Sequence, residues 1–180
     1  MYPSAVDAAE GFAERSPEIT STRTIAWQDP VPTAAAGAQM AGLDYVRAIQ
    51  AGELPPPPIG VVMNYSIAEL EEGRAVFVGE PGEEHYNPIG VVHGGYASTI
   101  LDSALGCAVH TTLPAGVGYT SQTLEVKYLR SITRDTGAVR CEAEVVHRGR
   151  KTATSEARLT ASATGKLLAT GTSTCLILGE

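Results

Sequence analysis

Residues 87–102 read NPIGVVHGGYASTILD and place a glycine pair and one acidic residue at the start of an apolar helical pattern. Gly94 follows His93, and the apolar pattern continues to about Thr111, which predicts a helix over 94–111. The first turn of a helix has unpaired backbone N–H groups and the positive end of the helix dipole. This helix start could therefore hold a developing oxyanion.

A lone carboxylate, Asp102, lies two turns into the predicted helix among apolar neighbours. If those neighbours desolvate it, Asp102 suits a general base or a nucleophile; the alternative is an aspartate on an exposed helix face. At about 1.5 Å per residue, Asp102 and Gly94 are roughly 12 Å apart along the helix. An oxyanion donor must lie about 3 Å from the reacting oxygen. We therefore predict that the two residues act from different subunits, in a homodimer at least.

Composition excludes several classes of protein. The net charge of −7 in 180 residues argues against nucleic-acid binding, and 43% hydrophobic residues allow a substantial core. We see no membrane span and no secretory signal. Cys107, Cys141 and Cys175 are far apart, which fits reduced, buried thiols in a cytoplasmic protein. Metal-ligand spacing, a serine nucleophile elbow, and Walker or dinucleotide loops are all lacking.

Strand-like segments flank the predicted helix. The predicted strands cover 59–70 and 74–80 before it, and 119–129, 138–147, 152–163 and 167–178 after it. Alternation of apolar and polar residues indicates antiparallel strands with one packed face. We predict an α+β fold, with a sheet of about five to six strands wrapped around one long central helix.

The chain begins with an extension, residues 1–58, ahead of the domain at 59–180. We expect residues 1–36 to be a mostly irregular arm, and residues 40–50 to form a short helix with an apolar stripe. Residues 55–58 are four prolines, which we interpret as a stiff connector rather than as a polyproline ligand for a partner.

The motif Asn87…Gly90-x-x-His93-Gly94-Gly95…Asp102 resembles that of the hotdog-fold acyl-CoA thioesterases, in the PaaI-like branch. Tyr128-Leu129-Arg130 and Gly165-Lys166-Leu167-Leu168-Ala169 support the resemblance, which covers about residues 59–178. It implies that two subunits join their sheets and that dimers pair into tetramers. It also implies an acyl-CoA substrate, with no separate cofactor because CoA is part of that substrate.

The resemblance implies roles for individual residues. Asp102 would be the general base or nucleophile, and the Gly94 N–H would bind the thioester oxygen. Asn87 would hold the attacking water or the carbonyl, and Ser121 would assist, with Thr120 or Thr123 in its place if the register shifts. His93 belongs to the same site, where we expect a structural role beside Gly94.

Coenzyme A carries phosphates, so we expect a local basic patch despite the acidic total. Arg148, Arg150 and Lys151 form the densest basic cluster, although a solvated turn would have the same composition. Lys127 and Arg130 are weaker candidates. We expect no nucleic-acid or membrane partner.

Two other functions remain open from the sequence. One is a noncatalytic acyl-CoA-binding hotdog module, either a sensor or a carrier; the other is a hydratase or dehydratase. The sequence leaves the acyl group unspecified. The helix predicted at 40–50 could cover either the sheet or an acyl pocket.

Overall fold

A six-stranded antiparallel sheet wraps around one long helix in the computed structural model, which describes residues 21–179. In chain order the elements are α1 (Pro30–Gly37), α2 (Gly42–Gln50), α3 (Pro58–Met63), β1 (Tyr65–Glu71), β2 (Arg74–Gly79), α4 (Gly94–His110), β3 (Gly118–Tyr128), β4 (Val139–Arg148), β5 (Thr152–Ala161) and β6 (Leu167–Leu178), with 3-10 turns at Glu83–His85 and Arg134–Thr136. None of the helices within residues 21–179 has the length and apolar character to cross a membrane.

The strand order in the sheet is β1-β2-β4-β5-β6-β3, and every neighbouring pair is antiparallel. The sheet buries its inner face against α4, whose buried side chains include Ile100, Leu101 and Leu105. This arrangement confirms the predicted hotdog architecture, with the helix at 94–110 and six strands.

The sheet approaches α4 closely where its inner face carries small residues. A Cβ added at Gly171 of β6 would lie 3.3 Å from side-chain atoms of both Leu101 and Leu105, tighter than most such contacts. Substituting a larger residue there would therefore push the sheet away from the helix.

Strand β3 forms one edge of the sheet and remains largely exposed. Leu124 pairs with Ser173, which is buried on the inner face, yet Leu124 is 39% exposed. Among the described residues β3 has a neighbouring strand on one side only, so its other side carries backbone groups available for pairing. The strand also contains a bulge between Ser121 and Thr123.

The prediction of a strand over 59–70 is wrong in its first half, because Pro58–Met63 is the helix α3. Proline at the first helical position has the φ that a helix needs, and Asn64, with φ 54°, ends the helix in the left-handed region. Strand β1 starts only at Tyr65.

The predicted irregular arm is also wrong over residues 30–36, because Pro30–Gly37 forms α1. Its prolines occupy the first turn, and the Asp29 side chain accepts a hydrogen bond from the Val31 N–H at 3.0 Å. The first 20 residues of that arm lie outside the described residues. The helix predicted at 40–50 is confirmed as α2.

Candidate active site

The start of α4 is capped by the residue that precedes it. The His93 Nδ1 accepts a hydrogen bond from the Gly95 N–H at 2.8 Å, and the His93 N–H donates to the His85 carbonyl at 2.8 Å. His93 thus fixes the helix start, the structural role expected of it. Within residues 21–179 the Gly94 N–H meets no hydrogen-bond acceptor, so it can bind a ligand oxygen.

Asn87 and Gly94 line the same cavity of about 300 Å³. The Asn87 Oδ1 accepts hydrogen bonds from the backbone N–H groups of Ile89 and Val91, at 3.1 and 3.3 Å. Since its oxygen is engaged in the loop, the Asn87 side-chain NH₂ is the group left to donate to a carbonyl or a water. Arg130 lines this cavity as well.

Tyr128 is a neighbour of Gly94 that sequence reasoning did not assign to the site. A Cβ at position 94 would lie 3.2 Å from two Tyr128 ring atoms, so the ring covers the glycine closely. The Tyr128 and Ser98 hydroxyls are 2.6 Å apart. Its place in the Tyr128-Leu129-Arg130 segment, which supports the family resemblance, is the sequence feature that pointed to Tyr128. No local pattern relates a strand residue to the start of a distant helix.

Asp102 lies in a second cavity, of about 350 Å³. Its side chain is half-buried, and its Oδ1 accepts a hydrogen bond from the Ser121 hydroxyl at 3.1 Å. The structure therefore brings together the carboxylate and the serine named from sequence. Thr123, an alternative for Ser121, accepts a hydrogen bond from the Thr174 N–H instead. None of the described lining residues is lysine or arginine.

Other polar groups in the Asp102 cavity escaped prediction. The Tyr65 hydroxyl lies 2.8 Å from the Ser103 hydroxyl. Burial lowers the pKa of His110 below its ordinary value, so this ring is neutral at neutral pH. Burial, followed by the Asp102 charge, raises the pKa of Cys107 to about 12, which keeps that thiol protonated.

The two cavities share no lining residue among those described. Gly94 begins α4, and Asp102 lies two turns further along the helix. Within one protomer, Gly94, the predicted oxyanion donor, and Asp102 therefore lie apart, as the rise of the helix predicts.

The basic cluster lies in the turn between β4 and β5 and lines neither cavity. The Lys151 carbonyl accepts a hydrogen bond from the Ile177 N–H, while Arg148 is the last residue of β4 and Arg150 lies in the turn. Ala153, just after the turn, pairs with Cys175 of β6, and Cys175 pairs with Ser121 of β3 on its other side. The cluster is thus at the end of the sheet where Ser121 lies.

The fold and the site define a class: a hotdog domain with a glycine helix start and a distant aspartate. Residues 89–168 match the family model of the Thioesterase superfamily. No curated protein matches the chain significantly. The described part of the chain shows no cluster of side chains able to hold a metal ion.

Solved structures similar to the chain include proteins of phenylacetic acid degradation. A phenylacetic acid degradation-related protein of Ralstonia eutropha has 28% identity and a TM-score of 0.67, over 73% of this chain and 98% of its own. A variant of the phenylacetic acid degradation protein PaaI from Thermus thermophilus has 28% identity and a TM-score of 0.60, over 67% and 98%. A thioesterase family protein of Silicibacter pomeroyi has 26% identity and a TM-score of 0.66, over 75% and 96%.

The chain is thus similar to hotdog-fold thioesterases of the PaaI-like kind, and this similarity supports thioester hydrolysis as its activity. This finding favours the enzyme over a noncatalytic binding module or a hydratase.

Proposed function

We propose that the protein hydrolyses acyl-CoA thioesters at sites shared by two subunits. Each site combines Asp102 and Ser121 of one subunit with the partner subunit's Gly94 and Asn87. The observation that carries the proposal is the separation of these pairs into two cavities along one helix. Each cavity holds half of the groups that thioester cleavage needs, so two copies facing each other complete both sites.

The exposed edge strand supplies the means of association. Pairing of β3 with the β3 strand of a second copy would extend the sheet to twelve strands, twice the six of one protomer, and cover Leu124. Such pairing would also bring the α4 helices of the two copies near each other. Two such dimers would form the proposed tetramer.

Two chemical routes start from this arrangement. In the first, Asp102 takes a proton from water, and the resulting hydroxide attacks the thioester carbonyl carbon. In the second, the Asp102 carboxylate attacks directly and forms an acyl anhydride that water then hydrolyses. In both routes the partner subunit's Gly94 N–H binds the oxyanion, the C–S bond breaks, and the CoA thiolate leaves and takes up a proton. One such donor contributes about 3–4 kcal/mol.

Basic side chains near both halves support CoA as the thiol group. Arg130 lines the Gly94 cavity, and Arg148, Arg150 and Lys151 lie at the Ser121 end of the sheet. Positively charged side chains at these positions would attract the negatively charged phosphates of CoA. We also propose a cytoplasmic location, since all three cysteines are free.

Replacing the carboxylate tests the proposal. We expect Asp102→Asn to lower kcat for acyl-CoA hydrolysis by roughly 10²–10⁴ while the assembly and the unfolding temperature stay unchanged, because the amide cannot act as base or nucleophile. Asp135→Asn, an exposed aspartate in a 3-10 turn, is the matched control and should keep full activity. Thiol release from a panel of acyl-CoAs measures both. Full turnover by Asp102→Asn would refute the assigned role.

A further inference from the structure

Helix α2 forms one wall of the cavity that contains Asp102. Tyr45, Val46 and Ile49 of α2 line that cavity together with Asp102 itself, and the proline connector continues the wall at Pro56 and Pro57. The extension before β1 is therefore part of the site, although it lies outside the matched family region, residues 89–168.

Close contacts fix α2 at both ends. At its start, the Gly42 N–H donates to the Leu113 carbonyl at 2.9 Å, and a Cβ at Gly42 would overlap the His110 carbonyl oxygen. At its end, the Gln50 side-chain NH₂ donates to the Ala68 carbonyl of β1 at 2.8 Å. Val46, between them, is 2% exposed. The helix is thus held as a rigid wall between the end of α4 and strand β1.

The wall opposite α2 is also largely apolar. Ile67 and Phe77 face the cavity from β1 and β2, and the ring of Tyr119 closes another side. A cavity of about 350 Å³ is at the small end of the roughly 300–1,000 Å³ range of ligand sites. With no lysine or arginine among its described lining residues, it suits an uncharged acyl group of limited length rather than the CoA phosphates.

This chain is longer than the similar proteins that align with it. The three structures described above align over 67–75% of this chain but over 96–98% of their own lengths. At least a quarter of this chain thus has no counterpart in each of them.

We propose that α2 closes the acyl end of the Asp102 cavity and that Ile49 limits the length of the acyl group that is hydrolysed. This inference rests on the proposed function, because it assigns the acyl half of the same substrate to this cavity. Ile49 is the suitable probe: it lines the cavity, is half-buried and makes no hydrogen bond through its side chain.

Variants that change the size of residue 49 in opposite directions test the inference. The measurement is kcat/KM for butyryl-, octanoyl-, lauroyl- and palmitoyl-CoA with the full chain. Ile49→Ala should raise the ratio of kcat/KM for lauroyl-CoA to that for butyryl-CoA about tenfold or more, and Ile49→Trp should lower it by a similar factor. The reason is that one methylene in a pocket changes specificity by roughly that factor. Arg47→Ala, exposed on the same helix, is the control and should leave the ratio unchanged.

The outcomes separate the two claims. If acyl-CoAs are hydrolysed in an Asp102-dependent way but the ratio is the same in both Ile49 variants, the inference is wrong and the proposed function stands. If no acyl-CoA is hydrolysed, both are wrong. Ile49→Val and Ile49→Phe provide a graded second pair with smaller volume changes; a ratio that does not follow side-chain volume in folded variants also contradicts the inference.

Discussion

Asp102 owes its suitability as a base or nucleophile to neighbours that hydrogen bond without neutralising it. Its described partner is the Ser121 hydroxyl, and no cationic side chain of the described residues lines its cavity. The Ser121 hydroxyl therefore orients the Asp102 side chain without a competing ion pair from the lining residues.

His110, in the same cavity, should make stability depend on pH. Its pKa is lowered in the folded state because burial disfavours the charged ring. Below the ordinary histidine pKa of about 6.5, the unfolded chain therefore binds more protons than the folded one. The contribution of the neutral His110 ring to stability is therefore fully present above that pH. It is lost as the pH falls through the pKa of His110 in the folded state.

This predicts a particular loss of stability in weak acid. Between about pH 7.5 and pH 5.5, the urea midpoint of the natural protein should fall more than that of His110→Gln, which lacks the titrating ring. Urea unfolding followed by circular dichroism at both pH values measures the difference. An identical fall in the two proteins would show that the buried ring does not contribute.

Sequence reasoning reached part of the residue-scale picture. Ser121 follows from its register on β3 and from the family resemblance, and it does contact Asp102. The Tyr65–Ser103 and Tyr128–Ser98 contacts join residues 38 and 30 positions apart, respectively. Nothing local predicts such contacts, because they depend on how the sheet curves around the helix.

At the scale of elements, β3 should govern association. Its inner-face residue Leu124 is 39% exposed in one protomer, whereas its partner in the sheet, Ser173, is 3% exposed. A second copy paired along β3 would bury that apolar side chain.

An acidic residue at this position should therefore disrupt the dimer. We expect Leu124→Asp to shift the protein toward monomers and to lose thioester hydrolysis, because burying a charge at the interface is costly. Glu125→Ala, on the opposite face of the same strand, should keep both assembly and activity. Light scattering coupled to size-exclusion chromatography measures the mass, and a dimeric Leu124→Asp enzyme with full activity would contradict the β3 interface.

The elements were predictable wherever periodicity was clear. Strand β6 matches its predicted bounds, 167–178, and α4 begins at the predicted Gly94. The apolar run at 59–63 was ambiguous, because a short apolar run suits a helix or a strand equally. Two local features decided for a helix, the Pro58 start and the left-handed Asn64.

At the scale of the whole molecule, the length of α4 is the basis of the proposal that each site takes residues from two subunits. The helix places the Gly94 N–H and the Asp102 carboxylate in cavities without a common lining residue. The sequence predicted this separation by helix rise alone. The position of α2 on the Asp102 cavity required the folded chain, because contacts such as Gly42 with Leu113 join distant segments.

A matched pair of variants isolates the Gly94 N–H. Gly94→Pro removes the N–H but suits the first position of a helix, whereas Gly94→Ala keeps the N–H and adds the same Cβ beside Tyr128. We expect kcat of Gly94→Pro to be about 10²–10³-fold lower than kcat of Gly94→Ala. This ratio measures the contribution of the N–H donor to catalysis.

Complementation between two inactive variants tests the shared site most directly. Asp102→Asn and Gly94→Pro proteins are mixed, unfolded and refolded together, and thiol release is measured against each variant refolded alone. If each site takes Asp102 from one subunit and Gly94 from its partner, about half of the dimers are mixed and each contains one intact site. The account predicts recovery of about one quarter of the natural activity. If mixed dimers form and activity stays at the level of the separate variants, the two residues act within one subunit and the account is wrong.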